Sequence, residues 1–71
     1  MSDEQKQAVE VERAVFEGIE AVRKSGETNM LDRDRVAELA AELGFHASAD
    51  WVRNNRDLYA RAIFQGFEVT K

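Results

Sequence analysis

The chain has no cysteine and no proline, and its one histidine is His46. Without cysteine there is no disulfide to brace a small fold and no thiolate to hold a metal. A zinc ion at His46 would have to draw nearly all its other ligands from carboxylates, a poor donor set for zinc. The absence of thiols fits a cytoplasmic protein. No apolar run approaches the length of a membrane span. The start, Met1-Ser2-Asp3-Glu4-Gln5, lacks the apolar stretch of a signal peptide. No phosphate loop, nucleophile elbow or dinucleotide fingerprint occurs. The expectation is a cytoplasmic chain with no membrane association, no metal, no cofactor and no catalytic centre.

What is present is short and charged. Seventy-one residues make one domain, 1–71, with an ordered core over about 3–67. At that length a single core is thin and stability marginal. Net charge is −4, unevenly spread. Residues 1–45 hold eleven acids against six bases, a net of −5, and residues 46–71 three acids against four bases, a net of +1. The acidic balance opposes general nucleic-acid binding. Seven arginines against three lysines suit a halophile or a GC-rich genome, and equally an ordinary acidic soluble protein.

The firmest local signals lie between Ser25 and Phe45. Arg23 and Lys24 suit the carbonyl end of a helix, and Gly26 suits the left-handed residue that ends it. Asp32 is an N-cap for the next helix, with Leu31 and Val36 at hydrophobic-staple spacing. Val36, Leu39, Ala40 and Leu43 follow at i, i+3, i+4, i+7, so one face is apolar while Asp34, Arg35, Glu38 and Glu42 face water. Gly44 stops this helix, and Phe45 can fold back on Leu39 or Ala40 in a Schellman ending.

Taken in order, residues 3–24 read as one long helix. Ser2 and Gln5 have capping-box spacing, and Ala8, Val11, Val15, Ile19 and Val22 form one stripe. Gly18 lies on the same side, where its cost of roughly 1 kcal/mol implies close approach of another helix. Val9 and Phe16 fall off the stripe, either as ordinary exposed residues or as the edge of a contact surface. A second helix covers 33–43. Ser48 can cap a third, with Trp51 and Val52 inward. Asn54 and Asn55 favour a break, and a fourth helix runs 56–67 with Tyr59, Ala62, Ile63 and Phe67 on one face. One bent helix from Trp51 to Phe67 is the alternative. Gly66 lets the helix end, and no strand is required anywhere. The expected fold is all-α: a small single-domain bundle of three to four helices with a long first helix. Trp51, Phe45, Tyr59, Ile63, Leu39 and Val15 should sit centrally in its core.

Ser25-Gly26-Glu27-Thr28-Asn29-Met30-Leu31-Asp32, then Ala40, Leu43-Gly44-Phe45, Tyr59 and Ile63-Phe64-Gln65-Gly66-Phe67, resemble a family of small helical proteins of unknown function from bacteria, phages and haloarchaea. The resemblance covers about residues 14–68 and centres on a Gly-x-Thr-Asn-Met-x-Asp element. It implies no catalytic residue, cofactor or partner.

Thr28, Asn29 and Met30 can form a recognition loop of hydroxyl, amide and flexible apolar anchor, or a structural turn in which side chains replace lost backbone bonds and Met30 fills a gap. A helix-turn-helix is the second candidate. Ala40 and Gly44 have its spacing, and a recognition helix from Ser48 would offer Arg53, Asn54, Asn55 and Arg56, side chains that read guanine and adenine edges. The motif wants an apolar residue six after the glycine, where Asp50 stands. His46 reads as a surface or capping residue, and Glu17, Glu20, Glu38 and Glu42 as solvated charges. The sequence thus points first to a non-catalytic module that binds a protein partner or itself as a homodimer, with Val9, Phe16 and the Thr28–Met30 loop as candidate contacts and Phe64 left over as an apolar residue on the fourth helix. The alternative is a DNA-binding regulator using residues 46–61 through Arg53, Asn54, Asn55, Arg56 and Arg61.

Overall fold

Val9-Glu10-Val11 and Phe67-Glu68-Val69 share an apolar–acid–apolar alternation, and β-branched or aromatic residues suit a pleated, half-covered surface. In the structure, a computed structural model that describes residues 8–70, these segments are strands. The order is β1 (Val9–Val11), α1 (Arg13–Ser25), α2 (Arg33–Glu42), α3 (His46–Asn54), α4 (Arg56–Gln65) and β2 (Phe67–Val69). The strands pair in parallel, Val9 with Phe67 and Val11 with Val69. Parallel strands need a crossover connection, and here the four helices between them are that connection.

The molecule is therefore mostly helical with a small strand pair, and two expectations are corrected. The long first helix is not found: Glu12 is extended, and α1 starts at Arg13. Val9 and Val11 satisfy a period of two, whereas only Val11 lies on the helical stripe, and tertiary pairing with β2 decides for the strand. The tail, expected to hold no strand, forms β2. Gly66 turns the chain from α4 into β2 with φ 98° and ψ 164°, a region open essentially to glycine alone. Its carbonyl accepts from the Val9 amide at 3.0 Å. The capping-box reading of Ser2 and Gln5 and the helical reading of residues 3–7 fall outside the described residues.

The other boundaries follow local chemistry. The Asp32 carboxylate accepts from the Arg35 amide at 3.3 Å, and α2 closes in a Schellman motif. There the Phe45 amide donates to the Ala40 carbonyl at 2.8 Å and the Gly44 amide to that of Ala41 at 3.0 Å. This ending demands the positive φ of Gly44, 94°. Asn55, with φ −134° and ψ 59°, separates α3 from α4, so the bent-helix alternative does not form. The Asn55 amide nitrogen donates to the Trp51 carbonyl at 2.9 Å. Leu31 and Leu43 are exposed, so the staple does not seal over Val36 and the α2 stripe stops one turn early.

α1 packs on both α2 and α3, which also pack on each other. The α1–α3 crossing is set by Gly18: a Cβ there would lie 2.6 Å from the Cβ atoms of Phe45 and Ser48. Ser48, read from sequence as a cap, instead lies inside α3 with no exposed surface. Its hydroxyl donates to the Val15 carbonyl at 2.8 Å, with that of Ala14 at 3.1 Å. Axes this close leave room only for small side chains. The core is accordingly built of valine and alanine around Ile19, Leu39 and Tyr59, whereas Trp51, Phe45 and Ile63 are only partly buried at its margin.

Gly18→Ala should destabilise the fold by about 1–3 kcal/mol through overpacking, although alanine favours a helix interior by about 1 kcal/mol. Urea unfolding followed by Trp51 fluorescence checks this, and a variant as stable as the parent would show that the crossing can widen freely.

Candidate interaction surface

The α1–α2 connection spends its polar groups on itself. The Ser25 hydroxyl donates to the Val22 carbonyl at 2.6 Å and accepts from the Glu27 amide at 3.2 Å. Asn29 Oδ1 accepts from the Leu31 amide at 2.8 Å, and the Asn29 carbonyl from the Asp32 amide at 2.9 Å. This is an Asx turn leading into the α2 cap. Thr28 and Met30 are half-buried. The Met30 carbonyl accepts the Tyr59 hydroxyl at 2.5 Å, which fastens the loop to α4. Asn29 thus carries a turn, and Met30 packs against the core.

Tethering α4 in this way presents the side chain beside Met30. Leu31, 62 % exposed, and Phe64, 79 % exposed, line one hollow with Ala60, Ile63, Arg33 and Arg56. Asp57 lies on the same rim. A second, more apolar groove adjoins it across Ile63, lined by Phe16, Ile19, Met30 and Phe67. Clustered exposed apolar side chains rimmed by charge mark contact surfaces more often than scattered ones do. Phe64 was legible as an apolar residue left over on α4; Leu31 was not, because its spacing to Val36 reads as a staple.

The candidate contacts named from sequence separate. Val9 is 6 % exposed in β1 and offers no surface, a correction that follows from the strand. Phe16 is half-buried and meets Phe67 in a T-shaped pair, centroids 6.1 Å apart. Phe67 also meets Trp51 at 6.2 Å.

Arg53, Asn54, Asn55 and Arg56 come together at the α3–α4 junction, where they line one shallow hollow. Arg61 lies elsewhere, beside Glu10 and Glu68. Arg53, Asn54 and Arg56 are exposed, and among the described residues no carboxylate reaches ion-pair distance of Arg53, Arg56 or Arg61. Asn55 is half-buried, its amide committed to Trp51. Asp50 is exposed, and Ala49 and Val52 fill the core side of α3, so the helix-turn-helix phase is shifted by one residue. Glu12 and Asp50 line the neighbouring hollow with Asn54. His46 is exposed at the start of α3. Glu20 pairs with Arg23, and Glu38 and Glu42 pair with Arg35. Among the described residues no three histidine or carboxylate side chains gather as metal ligands, and no helix is long and apolar enough to cross a membrane.

Residues 11–67 match the model of a domain of unknown function, DUF5049. No curated protein and no solved structure matches the chain.

Tyr59 provides a spectroscopic handle on this region, being the one tyrosine of the chain. Burial pushes its phenol up to about 12 from an ordinary value of 10. The folded state therefore holds the proton more tightly than the unfolded one. The stabilisation from Tyr59 is complete below pH ~10 and is lost as pH rises through about 12. Absorbance titration of tyrosinate should show a midpoint near 12 that falls toward 10 once the chain is unfolded in urea. A midpoint near 10 in the folded protein would contradict the buried Tyr59–Met30 contact.

Proposed function

The chain belongs to the DUF5049 family, and we propose that it is a non-catalytic interaction module that binds a second copy of itself through α4 and the Leu31 corner. The observation that carries this reading is the exposure of Phe64 beside Leu31 on a helix anchored to the core by Tyr59 and Ala62. The surface is self-complementary in chemistry. It holds apolar anchors together with charges of both signs, Arg33 and Arg56 against Asp57. An isologous contact needs a patch that matches itself under a two-fold axis. Antiparallel pairing of α4 about Ala60 sets Phe64 of one copy against Arg56 of the other, since each lies four residues from Ala60. An arginine over an aromatic ring is favourable. Ala60, small and exposed, lets the helices approach. Self-association would also add burial to a core that is thin for lack of length.

The alternative, DNA binding, has one observation of its own: Arg53 and Arg56 are exposed and without ion-pair partners among the described residues. Against it stand the committed amide of Asn55, the acids Glu12 and Asp50 beside Asn54, and a net charge of −4 that opposes approach to phosphate.

Sedimentation over a wide concentration range should show the parent dimerising and Phe64→Glu remaining monomeric with its helical circular dichroism unchanged. A parent that stays monomeric throughout overturns the self-association reading. Labelled random-sequence duplex should show no binding that weakens with salt. A salt-dependent shift abolished in Arg53→Ala/Arg56→Ala would instead establish the DNA reading.

A further inference from the structure

Among the described residues the sheet has two strands, fewer than a sheet usually needs to stand alone. Two bonds fix the phase of its ladder: the Val9 amide donates to the Gly66 carbonyl at 3.0 Å, and the Thr70 amide to the Val11 carbonyl at 2.9 Å. In a parallel pair this turns the backbone groups of Gly66, Glu68 and Thr70 toward β1 and those of Phe67 and Val69 outward. Among the described residues, no backbone group outside the strand pair bonds Phe67 or Val69. β2 is also the less covered strand: Val9 and Val11 are buried, whereas Phe67 and Val69 are half-buried. On the outer face the register sets Glu10 beside Glu68, both exposed; Arg61 of α4 lines the same hollow but lies beyond ion-pair distance of either, so among the described residues neither acid is paired. Like charges placed side by side on a sheet weaken it.

We propose that the outer edge of β2, unbonded among the described residues, accepts an extended segment of another protein with the alternation apolar–basic–apolar, added as an antiparallel third strand. The outward amides and carbonyls of Phe67 and Val69 then form the two hydrogen-bonded pairs. The residue opposite Glu68 falls at the non-hydrogen-bonded position, where backbones approach most closely, about 4.5 Å between Cα atoms. A lysine or arginine there meets Glu68 directly and Glu10 one strand further. The flanking apolar residues cover Phe67 and Val69. A second copy fits this edge badly, because centring β2 on itself opposes Glu68 to Glu68 and lengthens the acidic row. This contact uses a different surface from α4 and does not rest on the self-association reading.

The test uses the full chain and two blocked synthetic peptides that differ at the central residue, Thr-Val-Lys-Val-Thr and Thr-Val-Glu-Val-Thr. The lysine peptide should slow hydrogen exchange at the Phe67 and Val69 amides and bind about tenfold more tightly than the glutamate peptide. Glu68→Lys should reverse that preference, and Phe64→Glu should leave it intact. Unchanged exchange at Phe67 and Val69, or equal binding of the two peptides, overturns the proposal, as does a preference that survives Glu68→Lys.

Discussion

The distance between α1 and α3 at Gly18 governs the rest of the molecule. A helix can carry a glycine in its interior only at a cost, and here that cost is offset by what the missing Cβ allows. Ser48 reaches the carbonyl of Val15, and its hydroxyl is satisfied although it has no exposed surface. Against this closely crossed pair α2 buries Ala37 and Ala40 together with Val36 and Leu39. Apart from Tyr59, the aromatic side chains near the core are displaced to its margin. Phe45, Trp51, Phe16 and Phe67 form a half-exposed aromatic fringe in place of a central cluster.

This displacement explains what was and was not legible in the sequence. Endings written in neighbouring residues could be read: the Asp32 cap, the Gly44–Phe45 closure and the break at Asn55 each depend on groups within one turn. The need for close approach at Gly18 could also be read, but its partner could not. Ser48 looks like a cap because serine is a good one; only the path of the chain shows it facing α1. The strands were hidden for a related reason. Val9-Glu10-Val11 meets its partner across nearly the whole length of the chain, and no local pattern reports a pairing at that separation. Judging burial by size alone misplaced Trp51 and Phe45, since a tightly crossed pair of helices excludes bulk. At the candidate surface, Phe64 was legible as a surplus apolar residue. Leu31 was not, because spacing fixes which residues are near each other but not which way a loop side chain turns.

Charge is partitioned along the same lines. The acids of α1 and α2 are largely answered within their own helices by Arg23, Arg33 and Arg35. Such exposed pairs contribute little stability each, but they leave those helices locally balanced. The arginines of α3 and α4 have no such partners among the described residues, and Glu10 and Glu68 face outward together at the sheet. Charge outside ion pairs therefore sits away from the α1–α2 pairs, near the exposed apolar side chains of α4 and the sheet, where Arg61 shares a hollow with Glu10 and Glu68.

The parallel sense of the strand pair has a mechanical consequence. Val9 lies beside Phe67 and Val11 beside Val69, so the chain enters the pair at one end and leaves it at the other. Tension applied between the segments that precede β1 and follow β2 pulls the two strands along their own length in opposite directions. The ladder bonds are then loaded together in shear, and cannot break singly in succession as they would in a hairpin pulled open from its ends. A few short hydrogen bonds placed this way clamp the helical crossover between them. Resistance to stretching would thus reside in the smallest element of the molecule.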